Sequence, residues 1–285
     1  MSAFSSDERQ LLHESVTEYF SANYPFEKFC ELTDRQHPEG FSRDAWKEYA
    51  NLGWLGVALP EAAGGSAGGM TELAIVMAAA GGALALEPFV PTLVLGAGAI
   101  ELAGTPAQQQ LLSQVAEGEC LLAFCHTEPD AGYARDYVNA IAIETGEGYT
   151  LNGEKSFALG AHAADTLIVS ARMGSATGPV GLFLVPRESA GVGLTPAPTL
   201  DERRGAAVRL TDVRVASTAR LGEDDADRLD IVDQVLDRAA LAVCAEAAGA
   251  MASATEQTVE YTKTRQQFGQ SLSKFQVLQH RMVDM

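Results

Sequence analysis

A chain of 285 residues is long enough to bury a sizeable core as one large domain or two modest ones, and 47% hydrophobic against 20% charged residues excludes intrinsic disorder. With 20 Lys and Arg against 38 Asp and Glu, the net charge of −18 excludes a general nucleic-acid or anionic-membrane surface, so an anionic ligand must be met by a few local donors. Cys30, Cys120, Cys125 and Cys244 lack CxxC spacing, residues 1–20 lack a signal-peptide pattern, and the apolar stretch 89–100, broken by Pro91, is too short for a span, so the expectation is a reduced, cytoplasmic protein without zinc, disulfides or membrane insertion.

The first third has helical spacing. Ser5, Ser6 and Asp7 can cap a helix carrying Leu11, Leu12, Val16 and Phe20, which Tyr24 and Pro25 end. Trp46, Tyr49, Ala50 and Leu52 form a second amphipathic patch closed by Gly53. A glycine-rich loop over 59–69 precedes an Ala/Gly-rich run over 71–85, whose small residues let helices approach closely. Thr105 and Pro106 open another helix as N-cap and first helical residue. After about residue 119 the period shortens towards two. Residues 138–143 partly alternate, a turn at 146–148 leads into Tyr149, Thr150 and Leu151, and Asn152–Gly153 carries a hairpin signature. Short apolar runs at 166–170, 181–185 and 206–215 complete a small antiparallel β-domain. From Asp225 helical spacing returns through Leu229, Val232, Leu236, Ala239, Val243, Ala247 and Ala250. Asp224, Asp225 and Asp227 suit the positive end of that helix. Phe268 and Gly269 break it, and a last helix from about Ser273 runs to Met285 uncapped.

The expected fold class is therefore α+β, mostly α. It comprises an N-terminal helical domain over 1–119, a middle antiparallel β-domain over 120–222, and the start of a C-terminal helical bundle over 223–285. That bundle is incomplete, so the residues are part of a longer protein or a partner finishes the bundle. Left uncovered, Leu229, Val232, Leu236 and Val243 would form an exposed stripe, each worth roughly 1.5–3 kcal/mol on burial.

The loop 64–69 superficially suggests a phosphate cradle. It lacks a strand–GxGxxG–helix setting and a Walker lysine, which leaves a flexible loop. Residues 124–132 turn the chain at the helical-to-β boundary, where backbone donors and a hydroxyl can face a planar ligand. Taken singly, His126 reads as structural, Thr127 as a turn residue, and Glu128 as a solvated turn residue more than a catalytic carboxylate. Arg265, Gln266, Gln267, Phe268 and Gly269, followed by Phe275 and Gln276, join the long helix to the next. Arginine offers a planar fork suited to phosphate and glutamine both donor and acceptor, while a helix–loop contact explains the segment equally well.

In order, these stretches resemble the acyl-CoA dehydrogenase family. They are Gly53, Trp54, Leu55 and Gly56 through Pro60, Glu61, Gly64 and Gly65; Thr127, Glu128 and Pro129 with Gly132; residues 151–155 and 210–215; and residues 265–269 with Phe275 and Gln276. More loosely, the chain resembles the bacterial small-subunit, pimeloyl-CoA-dehydrogenase-like branch. The resemblance implies FAD as cofactor and an acyl-CoA substrate. It also implies an electron-transferring flavoprotein as acceptor, and a homo- or hetero-oligomer that is a dimer or a dimer of dimers. The implied chemistry is α,β-desaturation, in which a carboxylate takes the α-proton while the β-hydrogen leaves as hydride to the flavin. Carried over by position, Phe124, His126 and Thr127 contact the flavin, and Phe157 stands where the family often has a tryptophan. Arg265, Phe268 and Gln276 belong to the segment reaching a neighbouring subunit's FAD, and Tyr133 and Asp237 fall beside the acyl-CoA.

Three departures matter. Tyr133 replaces a small hydroxyl residue, and Leu159 cannot offer the hydroxyl that often bonds the flavin. No catalytic base is located, because the helix position that carries a glutamate in some members is Ala239, and Asp237 and Glu246 lie off register. A non-catalytic structural subunit of a heteromeric dehydrogenase therefore stands beside the catalytic reading, with monooxygenase or nitroalkane chemistry as a third.

Overall fold

Ser5 accepts from the Glu8 N–H while the Glu8 carboxylate accepts from the Ser5 N–H, a capping box that starts α1 (Ser6–Asn23). The computed structural model describes residues 4–285. Residues 1–3, and with them the first positions of the N-terminal domain and of the segment read for a leader, lie outside the described residues. Helix α1 buries Val16 and Phe20 but leaves Leu11 exposed, so the core-facing stripe is narrower than its spacing implied. It is followed by α2 (Phe26–Thr33), which the sequence reading passed over, and α3 (Arg43–Asn51), which buries Trp46 and Tyr49. The rings of Tyr19, Phe20, Tyr49, Trp54 and Phe89 pack at centroid distances of 5.2–5.8 Å and form the centre of this half of the core.

The glycine loop is packed, not flexible. The N–H groups of Gly65, Ser66, Ala67 and Gly68 donate at 2.9–3.0 Å to the carbonyls of Pro60, Gly56, Leu59 and Val57, and the Gly69 N–H donates to Glu72 at 2.7 Å. No donor is left to cradle a phosphate. A side chain at Gly65 would collide with the Leu59 carbonyl, which is why glycine stands there. Beyond it run α4 (Met70–Gly82), a π-helical segment (Phe89–Gly96) and α5 (Ala97–Ala103). Then come α6 (Pro106–Gln109), which Thr105 caps as expected, and α7 (Leu111–Ala116).

The middle part is a seven-stranded sheet: β1 (Leu122–Cys125), β2 (Ile141–Thr145), β3 (Gly148–Leu159), β4 (Thr166–Met173), β5 (Val180–Pro186), β6 (Val192–Pro198) and β7 (Arg204–Ala216). Its order is β1-β4-β2-β3-β7-β6, with β5 on the other edge of β4. Most pairings are antiparallel, as expected. The correction is that β4 pairs in parallel with both β1 and β2. Those strands are reached through the helical domain and the long segment 126–140, so no hairpin constrains their direction. A second correction concerns Asn152–Gly153, which lies inside β3. The turn is made at 145–148, and the pair instead sits at a register shift against β7. There the Asn152 side chain exchanges hydrogen bonds with Asp212, and Gly153 has φ +149° with room for no Cβ beside Ala140.

Asp227 accepts from the Leu229 N–H at 3.1 Å at the start of α8 (Leu229–Thr264), a helix of 36 residues and about 54 Å. It lies along α4 in backbone contact, because Cβ atoms at Gly81 and Gly249 would collide with the Glu246 and Ala78 carbonyls. Its buried face carries Ile231, Val232, Val235, Ala239 and Ala242. The expected exposed stripe is therefore corrected: Val232 is fully buried among the N-terminal helices, Leu229 and Leu236 are half-buried, and Val243 alone of the four is exposed. Helix α8 ends in a small hairpin, β8 (Gln266–Gln267) with β9 (Gln270–Ser271), and α9 (Gln276–Asp284) follows a 3-10 turn. Among the described residues no helix is long and apolar enough to cross a membrane.

Candidate functional site

Strand β1 delivers Phe124 and Cys125 into the sheet and releases His126, Thr127 and Glu128 at its end. Glu128 is buried, which corrects the solvated-turn expectation. Its carboxylate accepts from the Asn139 N–H at 2.7 Å, the Ala140 N–H at 3.0 Å and Lys155 Nζ at 2.7 Å. Lys155 also donates to Ser170 Oγ at 3.0 Å. The Arg135 carbonyl can only accept, so His126 Nε2 carries the proton and donates to it at 2.8 Å, and Nδ1 accepts from the Ser170 hydroxyl at 2.9 Å. Burial, reinforced by the Lys155 charge, holds His126 below its ordinary value and keeps the ring neutral. Burial also pulls Lys155 down, against the opposing Glu128 carboxylate. In the sequence Lys155 stands only as part of a motif, and Ser170 as one residue of a short apolar run. The available signal was a lysine on the same strand face as Leu151.

The remaining expected contacts fall into two groups. Phe124 is buried with its ring 6.0 Å from that of His126. Thr127 is exposed, its hydroxyl has no partner among the described residues, and its carbonyl accepts from the Ser156 N–H at 2.9 Å. That bond sets it beside Phe157, which is half-buried with its ring against Gly205. Arg265, Phe268 and Gln276 are exposed at the α8–α9 junction, and no described contact joins them to the first group. Phe268 is 90% exposed in the β8–β9 turn, with φ +54°. The Arg265 and Gln276 side chains have no hydrogen-bond or ion-pair partner among the described residues. Tyr133 is fully exposed. Asp237 is also exposed and holds Arg135 Nη1 at 2.8 Å, with Asp233 at 3.6 Å, which ties the 126–140 segment to α8.

On α8, Ala239 is buried and carries no chemistry. Glu246 pairs with Arg203, which also donates to Asp201 and to the Ala85 carbonyl. The two α8 carboxylates near that position, Asp237 and Glu246, are thus both engaged. Between α8, the end of α4 and the end of β3 lies a cleft of about 430 Å³, lined by Leu84, Leu86, Val90, Leu159, Val243 and Ala247 among others. Deeper in, the unanticipated Glu87 is 2% exposed, and burial pushes its carboxyl up to about 7. Among the described residues no group of three or more His, Cys, Asp or Glu side chains could hold a metal ion. The four cysteines are free, and burial raises Cys120 and Cys125 to about 12, which leaves those two unreactive.

Family models for the acyl-CoA dehydrogenase N-terminal, middle and C-terminal domains match residues 6–119, 123–213 and 229–285. The chain is similar to acyl-CoA dehydrogenase FadE12 of Mycobacterium tuberculosis, at 33% identity over 284 residues, covering 96% of this chain and 71% of that one. It is similar to the caffeyl-CoA reductase–Etf complex subunit CarC of Acetobacterium woodii, at 29% over 271 residues, covering 90% and 69%. Among solved structures it matches a chain of the ChsE4–ChsE5 complex from Mycobacterium tuberculosis with a TM-score of 0.85 and 26% identity, covering 100% of this chain and 74% of that one.

Proposed function

The chain belongs to the acyl-CoA dehydrogenase family, and on that premise we propose that it binds FAD and an acyl-CoA and serves α,β-desaturation of the thioester. The observation that carries this reading is the apolar cleft, where α8, the end of α4 and Leu159 at the end of β3 converge, two residues along the chain from Phe157. The donor set fits a flavin. Thr127 offers a hydroxyl with no other partner, beside a half-buried aromatic ring, and the unpaired Arg265 and Gln276 suit a pyrophosphate presented from a neighbouring subunit. When bound, the flavin supplies the hydride acceptor. The chain's own residues do the rest. Leu84, Leu86, Val90 and Leu159 exclude water from the acyl group, and the buried Glu128–Lys155–Ser170–His126 series holds the end of β1 so that Thr127 keeps its place.

The removal of the α-proton is not assigned to α8, since Ala239 is apolar and Asp237 and Glu246 are held by Arg135 and Arg203. That observation favours a second reading, a structural subunit of a heteromer in the small-subunit branch, and the matched ChsE4–ChsE5 structure is of a complex. An electron-transferring flavoprotein is the proposed acceptor; the similar CarC is a subunit of an Etf complex.

A visible spectrum of the purified protein with FAD added, followed by anaerobic acyl-CoA, tests both readings. Retained flavin that bleaches with the thioester supports desaturation. Failure to retain flavin without a partner supports the structural subunit, and bleaching only by NAD(P)H turns the reading towards monooxygenase chemistry.

A further inference from the structure

The apolar cleft adjoins a second, smaller lobe, itself mostly apolar but with the polar side chains of Glu87, His162, Arg203 and Arg204 in its wall. The two share Leu86, Val90, Leu159, Arg203 and Glu246 as lining, and the inner lobe has about 30 Å³ of free volume, enough for a water or a small polar group. Two acceptors that line it have no donor: Glu87 Oε2 and His162 Nδ1. His162 Nε2 lies 2.7 Å from the Glu39 carbonyl, which can only accept, so the ring proton is on Nε2 and Nδ1 is a bare lone pair. Glu87 Oε1 accepts from the Ser42 N–H at 3.3 Å and the Tyr24 hydroxyl also acts on the carboxyl, while Oε2 has no partner in hydrogen-bond geometry. Buried acceptors are almost always paired, so two orphans on one void mark the place of an absent donor.

The charges nearby set the sign of that donor's carrier. Arg203 is spent on Asp201, Glu246 and the Ala85 carbonyl, and Arg204 on the His37 and Asp34 carbonyls. Across the two lobes Glu39, Glu87, Asp201, Glu202 and Glu246 line the wall with only these two guanidiniums, and Glu39 is held by Arg43 outside it. A further carboxylate would enter a buried site with no free cation.

We propose that the inner lobe is a distal subsite for an acyl chain bearing a neutral hydrogen-bond donor, a hydroxyl being the simplest, and that it turns away a chain ending in a carboxylate. This rests on the reading of the outer cleft as the acyl-CoA site. A hydroxyl both donates and accepts, so it satisfies Glu87 in either protonation state, which matters because burial sets that carboxyl near 7.

The test is titration calorimetry on the full chain in excess FAD. The ligands are plain, ω-hydroxy and ω-carboxy acyl-CoAs matched across a series of chain lengths. At its best length the ω-hydroxy thioester is expected to bind at least about tenfold tighter than either of the others, the scale of one hydrogen bond to a charged or desolvated group. Glu87→Leu should cut the hydroxyl preference over the plain chain several-fold, with His162 Nδ1 left as the acceptor. Glu87→Gln, which keeps shape and volume and serves if the leucine variant fails to fold, should narrow the discrimination against the ω-carboxy chain by about tenfold. Equal binding of hydroxy and plain chains at every length, or tightest binding of the ω-carboxy chain, overturns the subsite and leaves the acyl-CoA reading standing. No binding by any thioester overturns both.

Discussion

Lys155 and Glu128 have side-chain exposures of 0% and 4%, so neither charge can turn to water if the other is removed. Glu128→Ala should cost about 3–5 kcal/mol, because it strands an ammonium and the Asn139 and Ala140 N–H groups together. Glu154→Ala, which breaks the exposed pair with Arg209, should cost less than about 1 kcal/mol; urea denaturation of both variants checks the contrast. Glu87 gives a pH signature. Its carboxyl lies near 7 in the fold against 4.5 as the ordinary value, so between those limits the native state binds more protons than the unfolded chain. Its contribution is complete below about pH 4.5 and is lost as pH rises through 7, a span of about 3 kcal/mol. Glu87→Gln should therefore gain stability relative to the parent at pH 8 and little at pH 5, as read by urea midpoints at the two pH values. None of these three roles was legible beforehand. Glu128 and Lys155 sit in separate motifs whose meeting is a matter of sheet register, and Glu87 lies in an apolar run where spacing says nothing about hydrogen bonding.

The contact between α4 and α8 reverses a rule of helix chemistry. An exposed Gly→Ala change inside a helix should gain about 1 kcal/mol, yet a Cβ at Gly249 meets the Ala78 carbonyl and one at Gly81 meets that of Glu246. Gly249→Ala should instead lose roughly 1–3 kcal/mol as the helices are forced apart. Gly82→Ala, whose Cβ would sit 3.6 Å from the Gly249 carbonyl, should be neutral or stabilising in the same denaturation series. The Ala/Gly-rich run announced close packing but could not name its partner, which follows much later in the chain. The hairpin signature failed for a related reason. Asn152–Gly153 marks a position that demands glycine, and a bulge makes that demand as readily as a turn does. Strand β1 left no periodic trace because all four of its residues are buried, which removes the alternation that reveals a strand.

For the whole molecule, the sequence of helical, β and helical parts was legible because the period of apolar residues changes twice, and the ordered motifs spanned all three parts. The site was legible only in outline, since its polar support and inner lobe come from residues that meet through folding. If Arg265 reaches the FAD of a neighbouring subunit, Arg265→Ala should lower flavin retention and the oligomer's mass together, as read by absorbance and light scattering; unchanged FAD affinity would remove that role. The glycine seats between α4 and α8 carry a last consequence. With two backbones touching, that side of the cleft is a fixed jaw. Across the cleft stands the turn 199–203, where Leu200 is fully exposed and Glu202 adopts φ +65°. A bulkier guest is more easily admitted by moving that turn than by parting the helices, so the calibre of the opening rests in part on a short stretch of chain between β6 and β7.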